Sequence, residues 1–156
     1  MTTRRRAREI VLQLLYEDDL NPTQDREVAD RFLVSRLHGN RPLIAFAREL
    51  VNKILSSREA LDKSISKRAQ NWSLRRMAAI DRNVLRMAAY EIMHTETPGR
   101  IVINEAIEIA RRYGSQNSGH FVNGVLDRIL REQEQWHSQT SESADDQPSA
   151  VGCTPS

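Results

Sequence analysis

Two short stretches of this chain carry residue types that could do chemistry. The first is Arg4-Arg5-Arg6-Ala7-Arg8-Glu9, with four guanidinium groups in five positions. A guanidinium pairs with phosphate through a planar fork of donors and stacks on bases. Such a run suits neutralisation of a nucleic-acid backbone. The second is the polar turn Gly114-Ser115-Gln116-Asn117-Ser118-Gly119, followed by His120-Phe121. Asn117 and Ser118 can cap a helix or hydrogen-bond a base edge. Phe121 can stack on an unpaired base or pack into a core. Ser115 and Ser118 beside His120 also suggest a nucleophile and its base, but no G-x-S-x-G elbow is present and the loop has no carboxylate to orient the histidine.

Other catalytic chemistry finds no support in the residue pattern. His38, His94, His120 and His137 are not spaced as metal ligands, and no cysteine lies near them. Neither G-x-x-x-x-G-K nor G-x-G-x-x-G occurs. The reading is a protein that is not an enzyme and needs no cofactor or metal.

The 156 residues suffice for one domain with a real core. The net charge of +2 understates the basicity of that domain, because His137–Ser156 holds Glu142, Asp145 and Asp146 and no lysine or arginine. Arginine heavily outnumbers lysine, which fits phosphate binding and equally a GC-rich genome. The single cysteine, Cys153, cannot form an internal bridge, in keeping with a reduced cytoplasmic setting. No apolar run reaches the roughly 20 residues of a membrane span. Gln13, Glu17 and Asp18 interrupt the apolar pattern that a leader would need, so none is expected. In such a setting the glycosylation match Asn71-Trp72-Ser73 carries no meaning.

Helical periodicity runs from Arg4 to about Gln135. Ala7, Ile10, Val11, Leu14 and Leu15 form one stripe, with the arginines at the helix start, where the macrodipole disfavours cations unless an anion offsets them. Asp18-Asp19 reads as a solvated turn, and Asn21-Pro22 as a stop followed by a new helix start. A second helix with Val28, Ala29, Phe32, Leu33 and Leu37 on its buried side ends at His38-Gly39-Asn40. Pro42 opens a third, with a break near Ser56-Ser57. A short turn runs from Trp72-Ser73 through Met77. Asp81 to about Thr95 is apolar around most of its circumference, as a central helix would be. After the turn at Pro98-Gly99, two more helices flank the polar loop. Glu108 can pair with Arg112, and Gly124 suggests a close helix–helix approach. The fold class expected is all-α, with about six to seven helices in residues 1–136. Residues 137–156 are expected to form a disordered acidic and polar tail.

Several segments, in order, carry a family resemblance: RRRARE at Arg4–Glu9 with LLYEDDL at Leu14–Leu20, VLRMAAYEI at Val84–Ile92, VINEAIEIA at Val102–Ala110 and FVNGVLD at Phe121–Asp127. Together they resemble the NusB family of bacterial transcription antitermination factors. That resemblance implies two small helical bundles packed together. It implies binding to the single-stranded boxA element of nascent ribosomal RNA transcripts, jointly with NusE, a ribosomal small-subunit protein. The pair would join an RNA polymerase complex that suppresses premature termination. Some family members self-associate, so a homodimer is a candidate state.

Carried over residue by residue, the resemblance places RNA contact at Arg4, Arg5, Arg6, Arg8, Asn117, Ser118 and Phe121. It places NusE contact at Asp81 and Glu91. The family pattern has an acidic residue where Asn117 stands. The departure removes a charge that would repel phosphate and implies a weaker need for the partner. The competing reading is a helical protein-interaction adaptor without direct RNA contact. A methyltransferase carrying such a helical domain would need a second, cofactor-binding domain, for which this sequence has no room.

Overall fold

The computed structural model describes residues 3–69 and 73–145, and every regular element among them is helical. The chain forms α1 (Arg4–Leu20), α2 (Arg26–Arg36), α3 (Arg41–Ser56), α4 (Arg58–Arg68), a 3-10 turn (Leu74–Arg76), α5 (Ala79–His94), α6 (Gly99–Tyr113) and α7 (Ser118–Asp145). Asn71, Trp72 and Cys153 lie outside the described residues.

Local chemistry sets most of the boundaries. Thr3 Oγ1 accepts the Arg6 N–H at 3.2 Å, satisfying a donor that the first turn of α1 leaves unpaired. Asp25 and Asn40 do the same for α2 and α3, accepting from Glu27 N at 2.9 Å and Leu43 N at 3.3 Å. Helix α2 therefore starts at its aspartate cap, and Pro22 lies in the connection rather than at a first helical position. Between α2 and α3, His38 and Gly39 have φ of 49° and 71°, and the left-handed glycine makes the tight reversal cheap. The expected break at Ser56-Ser57 separates α3 from α4.

Helices α1, α2 and α3 pack together, and α4 to α7 form a second bundle. Helix α5 touches both, through α1 and α3 on one side and α4, α6 and α7 on the other. It is buried almost continuously from Asn83 to Ile92, as its all-round apolar pattern predicts. Apolar side chains from both bundles, among them Ile10, Leu37, Ile54, Leu85, Ile109 and Leu126, join in one core.

Three local expectations give way to the tertiary structure. Val28 is 49% exposed, because α2 buries only its Leu33 side fully. Gly124 faces open space, so no close approach accounts for it; the tight packing is at Gly99, whose missing Cβ leaves room for Leu130. Helix α7 continues to Asp145, past the ordered limit expected at residue 136. Its run from Arg131 to Ser141 is almost wholly exposed, with side-chain hydroxyls of Ser138, Thr140 and Ser141 turned back onto main-chain carbonyls.

Two polar contacts between α1 and α5 join the bundles. Arg8 Nε and Nη2 donate to Glu91 Oε2 and Oε1 at 2.9 and 2.8 Å, with both side chains almost fully enclosed. Asp19 is no solvated turn residue: Oδ2 accepts from both Arg82 and Asn83, and Oδ1 from Arg86, which also forks onto Asp62. Burial alone would raise the Asp19 carboxyl. The Arg82 hydrogen bond, the Arg86 charge and the Asn83 amide outweigh it and hold the group below its ordinary value. Its contribution to stability is complete above the ordinary carboxylate range and fades as pH falls through the lowered value.

Breaking a buried pair from one side strands the other charge. Glu91→Ala is expected to cost about 3–5 kcal/mol of unfolding free energy. The double replacement Arg8→Met with Glu91→Leu should recover most of it. Urea denaturation of the three proteins checks this; a double variant as unstable as the single one would refute the account.

Candidate nucleic-acid interface

The arginine run begins α1, and the polar turn lies between α6 and α7. Glu9 brings these distant segments together. Its nearly buried carboxylate accepts from Arg6 Nη1 at 3.3 Å, Arg112 Nη1 at 3.2 Å and the Tyr113 hydroxyl at 2.5 Å. The last two donors close α6, immediately before Gly114. Burial, then the hydrogen bond and charge of Glu9, push the Tyr113 phenol above its ordinary value. It stays protonated, and a donor, at neutral pH.

The four arginines have different surroundings. Arg4 is exposed, its guanidinium 4.9 Å from the centroid of the Phe46 ring. Arg5 is half exposed and forks onto Glu105 of α6 at 2.8 and 2.9 Å. The Arg5 hydrogen bond, against some desolvation and with help from the Arg5 and Arg8 charges, holds the Glu105 carboxyl below its ordinary value, so the pair persists at neutral pH. Arg6 is 45% exposed beside Glu9. Arg8 is only 4% exposed, enclosed by Glu91 and the Phe46 ring. The expectation of a surface contact at Arg8 is corrected: its fork is occupied inside the protein.

The chain's own carboxylates thus relieve the unfavourable charge run at the helix start, and no external anion is needed for that purpose. A shallow cleft of about 780 Å³ borders the run, lined by Arg4, Arg5, Thr97, Pro98, Ile101 and Glu105 among others.

At the other segment, Asn117 is exposed and its carbonyl accepts the Phe121 N–H at 3.1 Å. Ser118 is 1% exposed, and its Oγ accepts the Ser115 N–H at 2.8 Å. Gly114 is required here, since a Cβ would meet Ser118 Oγ and the Ala110 carbonyl. Ser118 is therefore a fastener of the turn and not an open contact. Phe121 is half-buried against the core.

The two acids expected to face a partner fare differently from open surface charges. Glu91 is 1% exposed and engaged by Arg8, which corrects its placement on the surface. Asp81 lies in the first turn of α5, where an acid suits the helix dipole. It is 9% exposed, and its Oδ1 has no hydrogen-bond partner among the described residues.

Sequence reasoning missed Glu9, Glu105 and the Arg112-Tyr113 pair. It paired Glu108 with Arg112; in the structure Glu108 meets Arg111 at 3.4 Å and Arg112 turns to Glu9. One signal was available for Arg8. Val11, Leu12 and Leu15 stand three, four and seven positions on, so helical spacing places Arg8 on the buried stripe.

Residues 5–131 match the sequence profile of the NusB family. The transcription antitermination protein NusB of Anaeromyxobacter dehalogenans is 45% identical over 130 residues, spanning 83% of this chain and 92% of that one. The solved NusB of T. maritima superposes with a TM-score of 0.75 at 37% identity, covering 87% of this chain and 98% of its own. A structure of antitermination factors NusB and NusE in complex with double-stranded RNA gives a TM-score of 0.72 at 27% identity, covering 84% and 99%.

Glu9 is the point at which the two segments can be separated experimentally. Glu9→Ala leaves the Tyr113 hydroxyl without this acceptor and removes the bridge from α1 to the end of α6. It is expected to lower the unfolding free energy by about 2 kcal/mol, read by chemical denaturation. A loss below about 0.5 kcal/mol, the level of an ordinary surface change, would show that the bridge does not hold the segments together.

Proposed function

The chain belongs to the NusB family, and from that premise we propose how its surface serves transcription antitermination. The protein binds the boxA element of nascent ribosomal RNA transcripts together with NusE. The complex joins RNA polymerase and prevents premature termination. The work is done by binding alone, without catalysis, cofactor or metal, in the cytoplasm. None of the described helices is long and apolar enough to cross a membrane.

One observation carries the placement of the RNA site. Glu9 holds the arginine-bearing start of α1 against the end of α6, next to the turn that opens α7. That contact joins the RRRARE segment to the end of α6 and supports reading the arginines and the polar turn as one surface. In this reading Arg4, Arg5 and Arg6 meet phosphates, while Asn117 and Phe121 meet bases. Arg8 and Ser118 act from inside, by fixing α1 and the turn. Phosphate contacts supply affinity and orientation, and base contacts supply sequence preference. Asp81 is kept as a NusE contact on the family resemblance alone, through its small exposed part, since its unpaired Oδ1 lies inside the protein; Glu91 is not kept, since Arg8 already occupies it.

The deciding experiment is binding of labelled boxA-type RNA, a scrambled strand and a duplex, over a salt series, with and without NusE. Selective binding to the single strand, strengthened by NusE, is expected. Three phosphate contacts instead of four give a log–log salt slope of about −2, at roughly −0.7 per contact. The gain from NusE should be smaller than for the Asn117→Asp variant. Equal affinity for all three RNAs would leave only non-specific binding by a basic helical domain and overturn the boxA reading; no binding even with NusE would return the protein to the adaptor reading.

Glu105 competes with phosphate for Arg5. Glu105→Gln is expected to tighten RNA binding about threefold at low salt, within the range of an exposed ion pair, with the gain shrinking as salt rises. Unchanged or weaker binding at low salt would show that Arg5 does not leave Glu105 for RNA.

A further inference from the structure

We propose that Arg112 and Tyr113, the last two residues of α6, form a stacking platform for one unpaired base of the bound RNA. The inference rests on the RNA-binding reading above and extends its surface between the arginine run and the α6–α7 turn.

Tyr113 is 41% exposed, although it is a large aromatic side chain in a position that could have been buried. Its ring is not left free to swing. The hydroxyl donates to Glu9 Oε2 at 2.5 Å, and the carboxylate itself is nearly enclosed. The Arg112 guanidinium lies 5.4 Å from the ring centroid, donates to Glu9 Oε1 at 3.2 Å and is 67% exposed. One carboxylate thus orients two planar groups, the guanidinium lying over the ring, while both keep a solvent-facing area. Arg111, also 67% exposed, adds a cation beside them, its stem packed close to Gly119.

The chemistry selects an RNA base over other occupants. Unpaired bases stack on tyrosine rings and on guanidinium planes, and every base offers a π face. A negatively charged strand laid along Arg5 and Arg6 meets Glu9 only through its cationic and phenolic donors. Through Glu9, Arg6 is joined to Arg112 and Tyr113, and Gly114 leads from these to the turn that holds Asn117. The other large exposed apolar side chains, Leu20, Val28, Ile101 and Trp136, have no such tether in the described contacts. A ring already held in place loses little freedom on binding, which favours affinity.

The test uses the full chain and a labelled boxA-type RNA, intact and with single abasic positions. Tyr113→Leu should weaken binding of intact RNA about tenfold, within the range measured for loss of one base–aromatic stack. Tyr113→Phe keeps the ring and drops the tether; it should lose no more than about threefold, since stacking is the larger part. One abasic position should cost the unsubstituted protein about tenfold and cost Tyr113→Leu nothing further, the sign of a direct contact. Melting curves show whether Tyr113→Leu is folded.

If it is not folded, ultraviolet crosslinking of the unsubstituted protein to bromouridine-bearing RNA takes its place. An adduct on Tyr113 supports the platform, and adducts confined to other residues overturn it. Wild-type affinity in folded Tyr113→Leu, or identical abasic losses in both proteins, likewise overturns the platform while RNA binding stands. Absence of RNA binding by the unsubstituted protein, with and without NusE, overturns both readings.

Discussion

The buried fork between Arg8 and Glu91 is the constraint on which the rest of this structure depends. It fixes the first helix of one bundle against the central helix of the other. Enclosed charges are tolerated only when geometry and hydrogen bonding are complete. The relative position of α1 and α5 is therefore sharply defined, where apolar packing alone would accept small slides. Everything on the basic surface inherits that precision. Arg5 reaches Glu105, and Glu9 reaches Arg112 and Tyr113, because α1 enters at one angle and one depth.

A second consequence concerns how the basic face divides its labour. Neighbouring arginines in one run differ because a helix turns by about 100° per residue. Arg8 points inward and becomes structural. Arg4, Arg5 and Arg6 stay near the surface, each restrained by a ring or a carboxylate. These restraints lower the freedom that would be lost on binding, yet the carboxylates also offset part of the positive field. The surface is a compromise between a fixed arrangement and full charge.

Local rules made the helices legible. The end of α2 at His38-Gly39-Asn40, the opening of α3 at Pro42 and the Ser56-Ser57 break could be read directly, because turn and capping chemistry acts within a few residues. The apolar circumference of α5 identified the central helix for the same reason. The contacts that define the site were not legible, because they join residues far apart. Arg8 and Glu91 are 83 residues apart in sequence, and Glu9 and Tyr113 are 104 apart. Sequence spacing could place Arg8 on a buried stripe, but not name its partner. Asp19 looked like an ordinary helix end until Arg82, Asn83 and Arg86 came to lie beside it. The extension of α7 to Asp145 escaped a composition argument because its helix runs on with little apolar burial to announce it.

The Asp19 cluster also bears on the order in which the molecule can be built. Its donors Arg82, Asn83 and Arg86 all reside on α5. On the ribosome, α1, α2 and α3 emerge before that helix does. During this interval the Asp19 carboxylate has only water in place of those donors, and the Leu85 and Met87 side of the core is still missing. The N-terminal bundle is thus an unfinished half during synthesis. Its completion waits for a central helix encoded later, which makes the two bundles a single unit of assembly even though each has its own helices.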